Sequence, residues 1–270
     1  AFLGQRRETG LKGSRWALVI LAVCKMSCSH KPPSPPPGAS DSRWQGVRSF
    51  ACQFQQLDLE EAARSPFQLL LMDFSRDGRQ EGAYTSQELA RLRHGGRLLV
   101  AYLSVGEAES YRSYWHKSWK PGRPAWLDSP NPDWKENYKV RYWEPAWQQI
   151  LFDYADDILD QGFDGLFLDV VDAYEYWEPR RPQAASDMRT LLLKLIRHVR
   201  ERGEIGIFLN SGEGLLEDQE LLNSITGVAK EEIFFGLPGD GKPSPIAFTQ
   251  ATQAQLKKVV EAGKIVLSID

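Results

Sequence analysis

The chain has 270 residues, 42% of them hydrophobic and 26% charged, enough apolar content to bury one sizeable core. A formal net charge of -3 and a pI near 5.9 leave no broad basic surface, which argues against nucleic acid as a partner. Of three cysteines, Cys24 and Cys28 sit close to the N-terminus and Cys52 stands apart as an expected buried free thiol, so no disulfide framework supports the main domain.

Arg6, Arg7, Lys12 and Arg15 precede the apolar run WALVILAVC at residues 16–24, the layout of a signal peptide's charged and hydrophobic regions. The run is too short to favour a spanning helix. Cleavage before Cys24 or Cys28, with lipid on the cysteine, would make residues 1–28 a bacterial lipoprotein leader; a plain buried helix is the alternative. The protein is therefore expected to be secreted or held at the cell surface, with membrane anchoring through the N-terminus. Residues 29–43 contain HKPPSPPPGASDS, whose prolines read as a stiff tether, and the folded domain is expected over 44–270.

From there apolar runs alternate with helix-period stretches, which predicts a parallel sheet. The expected strands are VRSFACQF (47–54), FQLLLMDF (67–74), GRLLVAYLSVGE (96–107), GLFLD (165–169), IGIFLN (205–210), ITGVAKE (225–231) and KIVLSID (264–270). Trp147, Ile150, Leu151, Tyr154, Ala155, Ile158 and Leu159 form one helical stripe ending at Gly162, a C-terminal cap. Met188, Leu191, Leu192, Leu195, Ile196 and Val199 form another, with Ser186 as the expected N-terminal cap and Gly203 as the stop. TSQE at 85–88 is a capping box for a helix that ends at Gly95 and Gly96. The order suits a (β/α)8 TIM barrel, one strand short; the chain opens on Ala1 and stops on Asp270, so the expectation is a barrel truncated before its eighth strand and helix. A doubly wound sheet is the weaker alternative, because no glycine-rich phosphate turn follows the first strand.

The strands end on Asp73, Glu107, Asp169, Asn210, Glu231 and Asp270, and in a barrel these point to one mouth. Any single one could instead cap a helix or pair with an arginine. As a set of acids without histidines they suggest glycoside hydrolysis, in which one carboxyl protonates the leaving oxygen and another acts as nucleophile or base. Tyr102, Trp115, Trp143, Tyr174, Trp177 and Phe234 lie on or after strand ends, where flat rings can stack on sugars or merely pack beneath loops. His30, His94, His116 and His198 are too scattered for a metal site or a Ser-His-Asp triad, so no metal and no cofactor are expected. GLPGDGKP at 236–243 imitates a P-loop but has Pro243 where a magnesium-binding hydroxyl is needed.

LLMDFSRDG (70–78), VAYLSVGEAESYRSYW (100–115), NYKVRYWEPAWQQI (137–150), GFDGLFLDVVDAYEYW (162–177), FLNSGEGLL (208–216) and ITGVAKEEIFFG (225–236) together resemble the endo-α-1,4-polygalactosaminidase-like glycoside hydrolases, with their hypothetical extracellular relatives from thermophiles and archaea. The resemblance covers roughly residues 47–270. It implies a secreted barrel enzyme that cuts galactosamine-containing polysaccharide, with Asp169 and Glu231 as the catalytic pair. Glu232 stands where the family commonly has Asp, and Leu209 where many relatives have Gln. Glu231 is then the expected general acid, its pKa raised by its surroundings, and Asp169 the nucleophile or charge stabiliser. Asp73, Glu107 and Asp172 are expected to bind hydroxyls or the ammonium of an amino sugar; Tyr102, Trp143, Tyr174, Asn210, Glu213 and Phe234 complete the substrate-binding set. The expected partner is an amino-sugar polymer and the expected state a monomer. A non-catalytic carbohydrate-binding barrel on the cell surface is the alternative from a different class.

Overall fold

In the computed structural model residues 43–237 and 239–270 are described. The leader-like segment 1–28 and the tether up to residue 42 lie outside the described residues. Seven parallel strands pair in sequence order: β1 (Phe50–Gln53), β2 (Leu69–Met72), β3 (Leu98–Ser104), β4 (Gly165–Asp169), β5 (Gly206–Asn210), β6 (Gly227–Glu231) and β7 (Ile265–Ile269). The crossovers between them carry α1 (Leu59–Arg64), α2 (Ser86–Leu92), α3 (Pro145–Gln161), α4 (Ala184–Arg200), α5 (Gln219–Ser224) and α6 (Ile246–Glu261). This is the TIM-barrel alternation with one unit absent. Every strand expected from the sequence is present, most of them trimmed at the ends where the chain turns away before finding a ladder partner.

Because strand side chains alternate, each strand feeds two cores. Leu70, Met72, Leu99, Ala101, Leu166, Leu168, Ile207, Leu209 and Val228 face outward and pack under the helices. Phe50, Leu69, Leu71, Val100, Phe167, Phe208, Ala229 and Leu267 fill the interior. At the base of β4 and β5 the inward positions are glycines: a Cβ on Gly165 would lie 2.5 Å from the Gly206 carbonyl oxygen, and one on Gly206 would lie 2.3 Å from the Trp44 ring. Trp44 occupies that space, edge-on to Phe208, and plugs the base.

The helices follow their local signals with corrections at the ends, α2 stopping at Leu92 with Arg93 as its cap, short of the expected Gly95 and Gly96. Thr85 and Glu88 form the reciprocal capping box of α2, and α3 begins at Pro145 and ends on Gly162 at φ 113. Helix α4 starts earlier than its stripe suggested: Gln183 is the N-cap and Ser186 lies inside the first turn, its hydroxyl bonded to the Gln183 carbonyl at 2.9 Å. A hydroxyl one turn late competes for a carbonyl instead of capping amides. The P-loop imitation is part of an antiparallel hairpin, Phe235–Gly236 against Gly239–Pro243.

Between β3 and α3 the chain makes a small antiparallel sheet of Glu107–Glu109, Leu127–Pro130 and Asn137–Val140. Arg112 ties this excursion to the barrel: its Nε donates to Glu109 Oε2 at 2.7 Å and its Nη1 to Asp73 Oδ1 at 2.9 Å. The guanidinium also lies over the Phe74, Tyr102 and Tyr111 rings, between 5.0 and 5.6 Å from their centroids. Burial raises the Glu109 carboxyl even so, with Arg112 pulling it back down.

Arg112→Leu should cost about 3–5 kcal/mol in urea unfolding, because it strands two buried carboxylates. The triple change Asp73→Asn, Glu109→Gln, Arg112→Leu should recover part of that loss; equal instability of the two variants would contradict the pairing. Gly206→Ala should cost about 1–3 kcal/mol through the clash with Trp44, and an unmoved unfolding midpoint would show that Trp44 does not pack there.

Candidate active site

Inward-facing residues at the C-terminal ends of the strands gather at one mouth. Asp169 closes β4, Asn210 closes β5 and Glu231 closes β6. Leu168 pairs with Leu209, which puts Asp169 level with Asn210; Asn210 pairs with Ala229, so Glu231 stands one inward position further along. Asn210 Nδ2 donates to Asp169 Oδ1 at 2.8 Å and to Glu231 Oε1 at 2.9 Å. The two carboxylate oxygens are therefore no more than about 5.7 Å apart, the two bonds laid end to end.

Asp169 is 5% exposed, and burial pushes its carboxyl above the ordinary aspartate value. Hydrogen bonds from Asn210, the Val170 amide and the Tyr102 hydroxyl act in the opposite direction. Cys52, inward on β1, feels the same pair: burial, then Glu231, then Asp169 raise its thiol well above the usual range. It is half-buried rather than buried outright.

The residues that follow the three site groups share an unusual backbone. Val170, Ser211 and Glu232 have φ of 57, 60 and 58, in the left-handed region that non-glycine side chains resist. Valine there is the costliest, since its branched Cβ crowds the carbonyl. Each turn throws the chain off its strand immediately after the inward residue. For Glu231 and Glu232 it settles which acid faces the barrel: Glu231 meets Asn210, whereas Glu232 packs its side chain against Gly236.

A cleft of about 420 Å³ opens beside Glu231, lined among others by Asp172, Tyr174, Glu175, Glu213, Lys230 and Glu232. Lys230 Nζ lies 3.1 Å from Glu213 Oε1 and donates to the Ser211 hydroxyl at 3.3 Å. Acids outnumber this base. Burial raises the Glu175 carboxyl, and Asp172, Glu178 and Glu213 push it further in the same direction. Tyr174 is pushed up to about 12, chiefly by burial. Leu237 and Phe248 supply apolar wall from the hairpin and α6. A second cavity of about 280 Å³, against Phe74, Tyr154, Asp157 and Gln161 outside the barrel, shares no lining residue with the cleft.

Most of the remaining expected residues fall elsewhere. Glu107 is 2% exposed, and its oxygens accept from Asn131 at 2.8 Å, Asn137 at 3.2 Å and Lys139 at 2.5 Å, so it anchors the small antiparallel sheet. Asp73 is held by Arg112 at the rim. Tyr102 stays with the pair, its hydroxyl on Asp169. Trp143 packs between Trp177 and the Arg181 guanidinium, 4.2 Å from its ring, and Trp115 lies against Trp119 and Tyr138. Phe234 is 38% exposed just past β6, its amide bonded to Asp270. Glu175 and Lys230 were not singled out in the sequence, although Lys230 sits next to Glu231 and Glu175 follows Asp172 at helical spacing. Among the described residues no group of three or more His, Cys, Asp or Glu is arranged to hold a metal ion.

Residues 33–270 match the profile of glycoside-hydrolase family GH114. An uncharacterized protein of Methanocaldococcus jannaschii, MJ1477, is 36% identical over 236 residues, covering 82% of this chain and 65% of that protein. The chain thus spans about two thirds of the length of that relative. An uncharacterized protein of Thermotoga maritima is 35% identical over 228 residues, 81% of this chain and 69% of the relative. In fold, the chain is similar to the glycoside hydrolase domain of PelA from Pseudomonas aeruginosa, with a TM-score of 0.66 and 21% identity over 83% of this chain and 84% of that one. It is also similar to Aspergillus fumigatus Ega3, solved in complex with galactosamine, with a TM-score of 0.58 and 16% identity over 83% and 76% of the two chains. With the profile match running over residues 33–270, the chain belongs to glycoside-hydrolase family GH114.

Proposed function

We propose that the protein is a retaining glycoside hydrolase acting on an α-linked, galactosamine-containing polysaccharide. The observation that carries this reading is the shared Asn210 amide, which keeps the two oxygens it bonds, Asp169 Oδ1 and Glu231 Oε1, no more than about 5.7 Å apart and so holds the carboxyls close together. Retaining enzymes hold their carboxyls about 5–5.5 Å apart, and inverting ones keep roughly 6.5–9.5 Å for a water. Asp169 attacks the anomeric carbon as the glycosidic oxygen leaves with the proton of Glu231. Water then attacks the glycosyl ester, gives a proton to Glu231 and frees the Asp169 carboxylate.

The substrate class rests on charge and on kinship. Asp172 and Glu175 line the cleft with no cation bonded to them among the described residues, while Lys230 is engaged by Glu213. An ammonium seated between Asp172 and Glu175 would relieve the repulsion that adds to burial in raising Glu175. Ega3, of the same fold, is known with galactosamine bound. A polymer of this kind is met outside the cell, which fits the leader-like segment 1–28 and supports a secreted or surface location.

Asp169→Asn and Glu231→Gln should each lower kcat about 100- to 10,000-fold on a partially deacetylated galactosaminogalactan, read as release of reducing ends. Proton NMR of the first product should show the α-anomer; an initial β-anomer would overturn retention. Intact turnover in both variants would remove the pair from the mechanism, and binding of the polymer without shortening would favour a carbohydrate-binding barrel.

The double change Asp172→Asn, Glu175→Gln should raise KM for galactosamine oligomers and leave KM for fully N-acetylated ones nearly unchanged. In the wild type, binding should strengthen as pH rises through the elevated Glu175 value, since the ionised carboxylate is the form that attracts ammonium. An equal effect on both substrates would remove ammonium recognition from this pair.

A further inference from the structure

Asn210 was expected among the substrate-binding residues, yet its surroundings suit another task. It is 3% exposed, and its Oδ1 is buried without a hydrogen-bond partner among the described residues. Both hydrogens of its Nδ2 are spent on the facing carboxylates, at 2.8 and 2.9 Å. A flipped amide would turn an oxygen toward two carboxylates, so the donor orientation is the one the site enforces. With its hydrogens spent and its oxygen buried, the side chain offers a sugar no donor and no accessible acceptor.

We propose that Asn210 is a positioning residue: one amide nitrogen, donating to Asp169 Oδ1 and Glu231 Oε1, sets the separation of the two carboxyls and decides which oxygen of each does the chemistry. This rests on the two-carboxylate reading above. With Oδ1 held by an N–H, Asp169 attacks through Oδ2. Glu231 Oε1 likewise faces a donor, so the transferable proton sits on Oε2, away from Asn210. The bridge persists through the glycosyl-enzyme stage, because Oδ1 becomes the carbonyl oxygen of the ester and still accepts.

The other groups around Asp169 cannot replace it. Tyr102 from β3 acts on Asp169, where it helps hold the carboxyl down, and Cys52 from β1 is a weak donor kept protonated chiefly by burial and then by Glu231 and Asp169. Asp73 at the end of β2 is occupied by Arg112. Lys230 on β6 is turned to Glu213 and Ser211.

The test uses the whole chain as wild type, Asn210→Ala and the nearly isosteric Asn210→Asp, with circular dichroism to establish folding. Carbon NMR titration of labelled aspartate and glutamate carboxyls in the unliganded proteins should show the Asp169–Glu231 pair titrating at higher pH in both variants, since the bond to the ionised forms is gone. On the polymer, kcat should fall about 100-fold with KM changed far less, and the pH–rate profile should shift with the titration. Folded variants with an unmoved titration and an unmoved pH profile would overturn the proposal. A wild type inert on every amino-sugar polymer would sink the hydrolase reading instead, and the titration would still decide the clamp.

Discussion

Two carboxylates held within about 6 Å repel one another by roughly 3 kcal/mol at an effective dielectric near 20, and the rest of the site exists to keep them there. Asp169 and Glu231 stay together because parallel pairing of β4, β5 and β6 leaves their side chains no other direction, and because Asn210 stands between them with two donors. Charge-assisted hydrogen bonds are stronger than neutral ones, so one amide offsets much of the repulsion. Burial raises the Asp169 carboxyl, and the hydrogen bonds from Asn210, Val170 and Tyr102 work against that by favouring its ionised form.

The barrel resists this repulsion through its packing. Outward leucines and isoleucines lock each strand under helices, while glycines at the base of β4 and β5 let Trp44 close the floor. The mouth is where regularity ends. Left-handed residues after β4, β5 and β6 turn the chain sharply, leaving the site groups at the rim without further strand above them. That backbone strain is tolerable only on a frame that over-determines it. Arg112 adds a second anchor by joining Asp73, Glu109 and the aromatic rings beneath the excursion after β3.

The cleft beside the pair is acidic on one wall and apolar on the other. Its single lysine is neutralised internally by Glu213. A neutral sugar would gain little from such a wall, whereas a cationic one would relieve the crowding of like charge around Glu175.

Much of this was legible in the sequence because the signals are local. Apolar runs without alternation, the Thr85–Glu88 capping box and the Pro145 to Gly162 limits of α3 depend on a few neighbouring residues each. Asp169 and Glu231 were visible as acids at the ends of greasy strands, but so were Asp73 and Glu107, and only the family resemblance set the first two apart. The sequence could not separate Glu107 from Glu175. Both are acids near strand ends, but Glu107 meets Asn131, Asn137 and Lys139 from a distant stretch, and Glu175 reaches the cleft because a turn after Val170 carries it there. Nor could it place Ser186, whose helix begins earlier than its apolar stripe, or give Asn210 its two partners. Strand identity follows from the period of side chains along the chain; which polar groups meet follows from register between strands and the turns that end them, and only tertiary packing fixes those.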